Sequence, residues 1–181
     1  MAAPLAAQRG GMTRPMNLGE LVDGAGVIVH GHISSVVAEP HPTYRSLNTL
    51  LITIRVSESL KGNAGTTYSF RQYVWDVRDV YDGAGYKRGQ EVLLFLTAPS
   101  EVGLSSPVGL LQGRFLVTRD GQGRATIRSR SMLFERLEPQ LQQKGVRLAD
   151  RLAAMVANPP RGAMTLDDMR ELIRGIAGAT R

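Results

Sequence analysis

Cysteine is absent from this sequence. That excludes disulfides and thiolate metal ligands but leaves the redox compartment open, because an exported protein need not use disulfides. Long apolar runs are missing too: the longest, such as VLLFL at Val92 to Leu96, are strand-sized, far short of the roughly 20 residues a helix needs to cross a bilayer. We expect no membrane span. Histidine occurs 3 times and tryptophan once, at Trp75, so an imidazole-based site has few members to draw on. Nor is there a compact Lys/Arg block. The net charge of +6, from 22 Lys+Arg against 16 Asp+Glu, is mostly arginine and spread along the chain. Forked guanidinium groups suit acidic ligands or an anionic surface, but nothing here would track a nucleic-acid backbone. Diffuse solubilising charge is the preferred reading, and nucleic acid a disfavoured partner.

A hydrophobic content of 43% with 21% charged residues supplies a core and excludes disorder of the whole chain. The length of 181 residues suits one domain with a helical appendage. The first residues, MAAPLAAQRGGMTRP, lack a charged n-region and an apolar h-region, so they are not a complete signal peptide. PLAAQ reads equally as the tail of one or as plain disordered N-terminus; residues 1–16 are expected to be disordered.

Asn17 followed by LGELVDGAG predicts a short helix, with Asn17 as cap, Leu18, Leu21 and Val22 on one face, and Gly24 at its end. From Gly26 the period becomes two: Val27, Val29, Ile33 and Val37 share a side, with a bulge or sharp coil expected at Gly31. A second strand places Leu50, Ile52, Ile54 and Val56 inward. The third, TYSFRQYVW, puts Tyr68, Phe70, Gln72 and Val74 on one face and Ser69, Arg71, Tyr73 and Trp75 on the other. A loop, DVRDVYDGAGYKRGQ, leads to EVLLFLTA, apolar almost throughout and so expected to be covered on both faces. RFLVTRDGQGRATIR reads as a hairpin turning at Asp120 to Gly123. Beyond Ser131 the pattern turns helical, ending in LDDMRELIRGIA with Thr165 as cap and Leu166, Met169, Leu172, Ile173 and Ile176 as the apolar face. Together these predict a mainly β protein: an OB-like antiparallel barrel over residues 17–131 with a short N-terminal helix, and a C-terminal helical extension over 132–181 packed on it.

Four pieces in order carry a resemblance: ELVDGAGVIVHGHISSV, ITIRVSESLKG, YKRGQEVLLFL and GLSSPVGLLQGRFLV. Together they resemble a group of uncharacterised exported bacterial proteins, whose barrel is similar in outline to the netrin/tissue-inhibitor-of-metalloproteinases-like OB fold. The matching residues are Val56, Glu58, Leu60, Lys61 and Gly62, then Gly89 to Leu96, then Gln112, Gly113 and Phe115. The resemblance implies an exported barrel. It does not imply protease inhibition, because that chemistry uses an N-terminal cysteine on the protease zinc and this chain has none.

Several constellations invite a site. His30 and His32 share a strand face at metal-compatible spacing, but no further ligand is specified and surface histidines are the preferred reading. Asp76, Asp79 and Asp82 could offer oxygens to calcium, yet their spacing is that of a turn-rich loop. Ser105 and Ser106 lie in a Gly/Ser-rich stretch without a nucleophile elbow or an evident base, so a flexible connection into the next strand is preferred. The best candidate surface is the stripe of Arg71, Tyr73 and Trp75 with Arg114 nearby, because planar rings and guanidinium groups stack and pair at little ordering cost. The competing reading, that the C-terminal helices cover the stripe and make Trp75 a core residue, stands slightly ahead. The expectation is thus a non-enzymatic exported module that binds a protein or cell-envelope ligand, without metal or cofactor. The alternatives are a single-stranded nucleic-acid-binding barrel and, third, a hydrolase using the aspartate loop.

Overall fold

Two fourteen-residue strands, β1 (Val27–Pro40) and β2 (Asn48–Lys61), pair antiparallel along their whole length and set the shape of the molecule. The computed structural model describes residues 14–178, apart from the side chains of Val77 and Asp79. Residues 1–13 of the expected N-terminal segment lie outside it.

Three register shifts interrupt the β1–β2 ladder, between Ile28 and Val29, His30 and Gly31, and Ile33 and Ser35; the first two add a residue to β2 and the third adds Ser34 to β1. The second falls at the glycine singled out by the pattern. A Cβ built on Gly31 would lie 2.3 Å from the Arg55 carbonyl oxygen, so only glycine lets β2 approach this closely. The third shift inverts the alternation. Val36, not the expected Val37, packs inward, and Val37 is exposed. A bulge adds one residue to one strand, which turns every later side chain to the opposite face.

The remaining strands are β3 (Thr67–Tyr73), β4 (Glu91–Leu96), β5 (Arg114–Arg119), β6 (Ala125–Arg128) and β7 (Ala163–Thr165). They form one antiparallel sheet in the order β3-β2-β1-β4-β5-β6-β7. The segment expected as a loop after β3 contains a helix, α2 (Val77–Asp82), and a 3-10 turn at Gly83–Gly85. β7, with 3 residues, is too short to show a period in the sequence.

The expected barrel is met only in its strands. Among the described residues no ladder joins the edge strands β3 and β7, so the sheet is open. Two isolated bridges partly span the gap on one side: Arg71 pairs with Leu104 in parallel, and Leu96 with Pro107 antiparallel. Residues 104–107 thereby lie between β3 and β4.

β4 divides two cores. Val92, Leu94 and Leu96 point into one, with Val29, Ile52, Ile54 and Phe70. Leu93 and Phe95 point into the other, so the strand is covered on both faces as its composition demands. The second core is roofed by helices: α1 (Leu18–Gly24), α3 (Leu137–Gln143), α4 (Asp150–Ala157) and α5 (Leu166–Gly178). Asn17 caps α1 through a reciprocal capping box with Glu20, and Met16 N–H donates to Gln112 Oε1. All five apolar positions of α5 are fully or nearly fully buried. Its polar side is clamped to β2 where Arg170 and Arg174 both grip Glu58.

Candidate functional site: an apolar groove beside the edge strand

Phe70 of β3 and Val74 just beyond its end lie in the core, while Tyr73, the last residue of the strand, and Trp75, in the bend that follows, face the other way. Trp75 is 82% exposed. The helices that could have covered it sit on the opposite core, which overturns the buried-tryptophan reading. Its indole meets the Tyr73 ring edge-on at 5.1 Å, a favoured aromatic geometry.

A groove of about 400 Å³ opens beside these rings. Its far wall is the Gly/Ser-rich stretch, which brings Leu104, Leu110 and Leu111 opposite Tyr73 and Trp75. Leu110 and Leu111 are 44% and 61% exposed. Among the described residues no charged side chain lines it, although the chain carries a net charge of +6.

The wall is built, not slack. Ser105 N–H donates to Arg71 O and Ser106 O accepts from Thr97 N–H, while the buried Ser105 Oγ donates to Thr97 O at 2.8 Å. Buried His41 reaches the same stretch: its Nε2 lies 2.8 Å from Val102 O. Because His41 Nδ1 accepts from the Thr43 and Tyr44 amides, Nε2 must be the protonated nitrogen that donates to Val102. Ser105 is therefore a structural residue. The expected flexible connection is a bonded segment.

Two left-handed residues shape the groove. Of the three described non-glycine residues with positive φ, Ala84 (50°) and Leu110 (64°) both line it. That conformation is costly for a side chain larger than glycine and persists only where the surrounding structure holds it. It holds the Leu110 side chain on the groove's rim.

Both arginines of the predicted stripe are spent elsewhere. Arg71 donates to Glu39 Oε1 at 2.6 Å and Thr49 Oγ1 at 2.8 Å, and its side chain is only 14% exposed. Arg114 lies over the Tyr86 ring and donates to the Ala84 and Gly85 carbonyls. Burial lowers its pKa, and burial pushes the Tyr86 hydroxyl up to about 12. Arg114 thus acts on the groove indirectly, by fixing the turn that contains Ala84. Of the four stripe residues, the structure brings only Tyr73 and Trp75 into the groove as free surface. Leu110 and Leu111 escaped the sequence reading. Their one signal was a pair of leucines in a stretch with no period to bury them.

The other constellations resolve into ion pairs and turns. His30 Nε2 lies 3.0 Å from Glu91 Oε1, His32 Nε2 3.9 Å from Glu91 Oε2, and Arg119 Nη2 donates to both oxygens of the same carboxylate. Burial alone would raise the Glu91 pKa, but the His30 hydrogen bond and the Arg119 charge outweigh it and hold it below its ordinary value. Among the described residues no group of three metal-ligating side chains occurs. Asp76 pairs with Arg78 and Asp82 is exposed; the Asp79 side chain lies outside the described ones. Comparison with protein-family models, curated proteins and solved structures returns no match to this chain.

Proposed function

We propose that this protein is a non-enzymatic, exported binding module whose ligand seat is the groove between Tyr73–Trp75 and Leu110–Leu111. The carrying observation is the 82% exposed Trp75 facing a wall held in place by buried hydrogen bonds. A large exposed ring costs solvation without adding to the core, and rigid aromatic anchors are what binding surfaces concentrate. We read the β1–β4 framework as an OB-like barrel, with residues 104–107 in the place of a fifth strand. The parallel bridge to β3 and the antiparallel bridge to β4 support that reading, because an OB barrel is a partly open, five-stranded arrangement. Export rests on the resemblance and the N-terminal composition.

The uncharged lining weighs against nucleic acid in this groove, since backbone phosphates require nearby cations. Two experiments test the proposal. Quenching by acrylamide and iodide measures Trp75 accessibility, and fractionation of producing cells locates the protein. A blue, protected emission removes the site, and retention with the cytoplasmic fraction removes the export.

A further inference from the structure

We infer that the groove takes an extended, uncharged peptide segment of another protein, bound as an added strand along the free end of β3; this rests on the groove being the ligand seat. The backbone carries the argument. Val74 N–H donates to Asn48 O at 3.0 Å, which makes Thr49–Tyr73 a non-hydrogen-bonded pair of the β2–β3 ladder. The N–H and C=O of Tyr73 then point away from β2.

On that side the chain's own cover stops at Arg71, two residues before Tyr73. Ser105 N–H takes Arg71 O, after which the segment departs at Ser106 to bond Thr97 on the β4 side. Among the described residues, no backbone group from another segment bonds Tyr73. An exposed edge with unpaired amides and carbonyls is a template for strand addition. A small apolar ligand would fill the groove but leave these groups to water.

The side-chain chemistry selects the segment. Alternate residues of an added strand would point into the groove, where Trp75, Leu104, Leu110 and Leu111 accept apolar groups. A charged residue there would meet no counter-charge among the described residues and lose its hydration. A second copy of this chain is a poorer occupant, because two chains of net charge +6 repel.

The test uses the full chain with Trp75 emission as readout. The probe is an array of capped, uncharged ten-residue peptides that alternate apolar and polar residues. Each binder is also made with alternate amides N-methylated, in the odd or in the even register. Binders should shift Trp75 emission saturably. One methylated register should weaken binding about tenfold or more, through lost backbone bonds, and the other should leave it unchanged. Leu111→Ser, at an exposed position, should weaken binding while leaving the fold intact. Binding indifferent to both methylated registers overturns strand addition. If no peptide binds but anilinonaphthalene sulfonate still occupies the groove, losing affinity in Leu111→Ser, the peptide assignment fails while the ligand seat stands. If neither probe reaches Trp75, both fall. A concentration-dependent dimer in sedimentation that protects Trp75 overturns the proposal in favour of a second copy.

Discussion

The Arg114 guanidinium carbon sits 4.0 Å from the centroid of the Tyr86 ring, and one of its nitrogens donates to Ala84 O at 2.8 Å while the other donates to Gly85 O. A single side chain from β5 thus fixes the turn that enters β4 and forms part of the groove. Charged hydrogen bonds contribute about 1.5–3 kcal/mol when their partners are desolvated. Arg114→Ala should therefore lower unfolding free energy by about 2–3 kcal/mol in urea titration. Lysine, a point charge without the fork, should restore only part of the loss. A change under about 0.5 kcal/mol, the range of ordinary surface substitutions, would mean the contact is not formed in solution.

Trp75 presents the opposite case. Among the described residues its ring partner is Tyr73, so Trp75→Ala should change stability by no more than about 0.5–1 kcal/mol while weakening, in calorimetric titration, the peptides that bind the native groove. Unfolding by circular dichroism serves here, since the variant has no tryptophan. A loss of several kcal/mol would return Trp75 to the core.

Leu110 should behave as a strained residue. A left-handed backbone costs a non-glycine residue roughly 1–2 kcal/mol, part of which glycine forfeits through the larger entropy of its unfolded chain. Leu110→Gly is expected to raise stability by about 0.5–1 kcal/mol while weakening groove ligands. Stability gained and binding lost in one substitution would identify the strain as functional. Loss of both would make Leu110 an ordinary packing residue.

Much of this architecture was legible because period and caps are local. The α1 capping box, the two-sided burial of β4 and the α5 face all follow from spacing within a few residues. What escaped was non-local. The inversion at Val36 and Val37 depends on a bulge after Ile33 that no turn residue announces. The three-residue strand β7 exists only because β6 offers an edge. At the candidate site, alternation found Tyr73 and Trp75. It could not show that Arg71 folds back onto Glu39, nor that a serine-rich stretch brings two leucines opposite the rings. The preference for a covered Trp75 failed because the apolar helices had a second core to cover.

Gly31 is the sharpest test of how closely β1 and β2 approach. A methyl group there would lie 2.3 Å from the Arg55 carbonyl oxygen and 2.9 Å from the Ile54 Cγ2, and backbone in a paired ladder cannot yield cheaply. Gly31→Ala should cost about 2 kcal/mol or more, within the range of overpacked cores. If alanine is tolerated, β1 and β2 are less closely apposed than described.

The Glu91 cluster predicts how acid acts on the fold. In the unfolded chain a glutamate binds its proton near pH 4.3, whereas in the folded protein His30 and Arg119 hold the Glu91 pKa lower. The unfolded state therefore takes up the proton first as pH falls. The contribution of Glu91 is present above about pH 4.3 and is lost as pH drops through the folded-state value. Glu91→Gln, which keeps the shape but cannot ionise, should be less stable than the native protein at pH 6 and converge with it at the acid end. Its stability should also fall less steeply between pH 5 and 3. Glu20 and Asp120, whose pKa values are also lowered, contribute equally to both proteins and cancel in the difference. Parallel stability curves would show that the carboxylate is not coupled to His30 and Arg119, and that the histidine pair on β1 stands without its acidic partner.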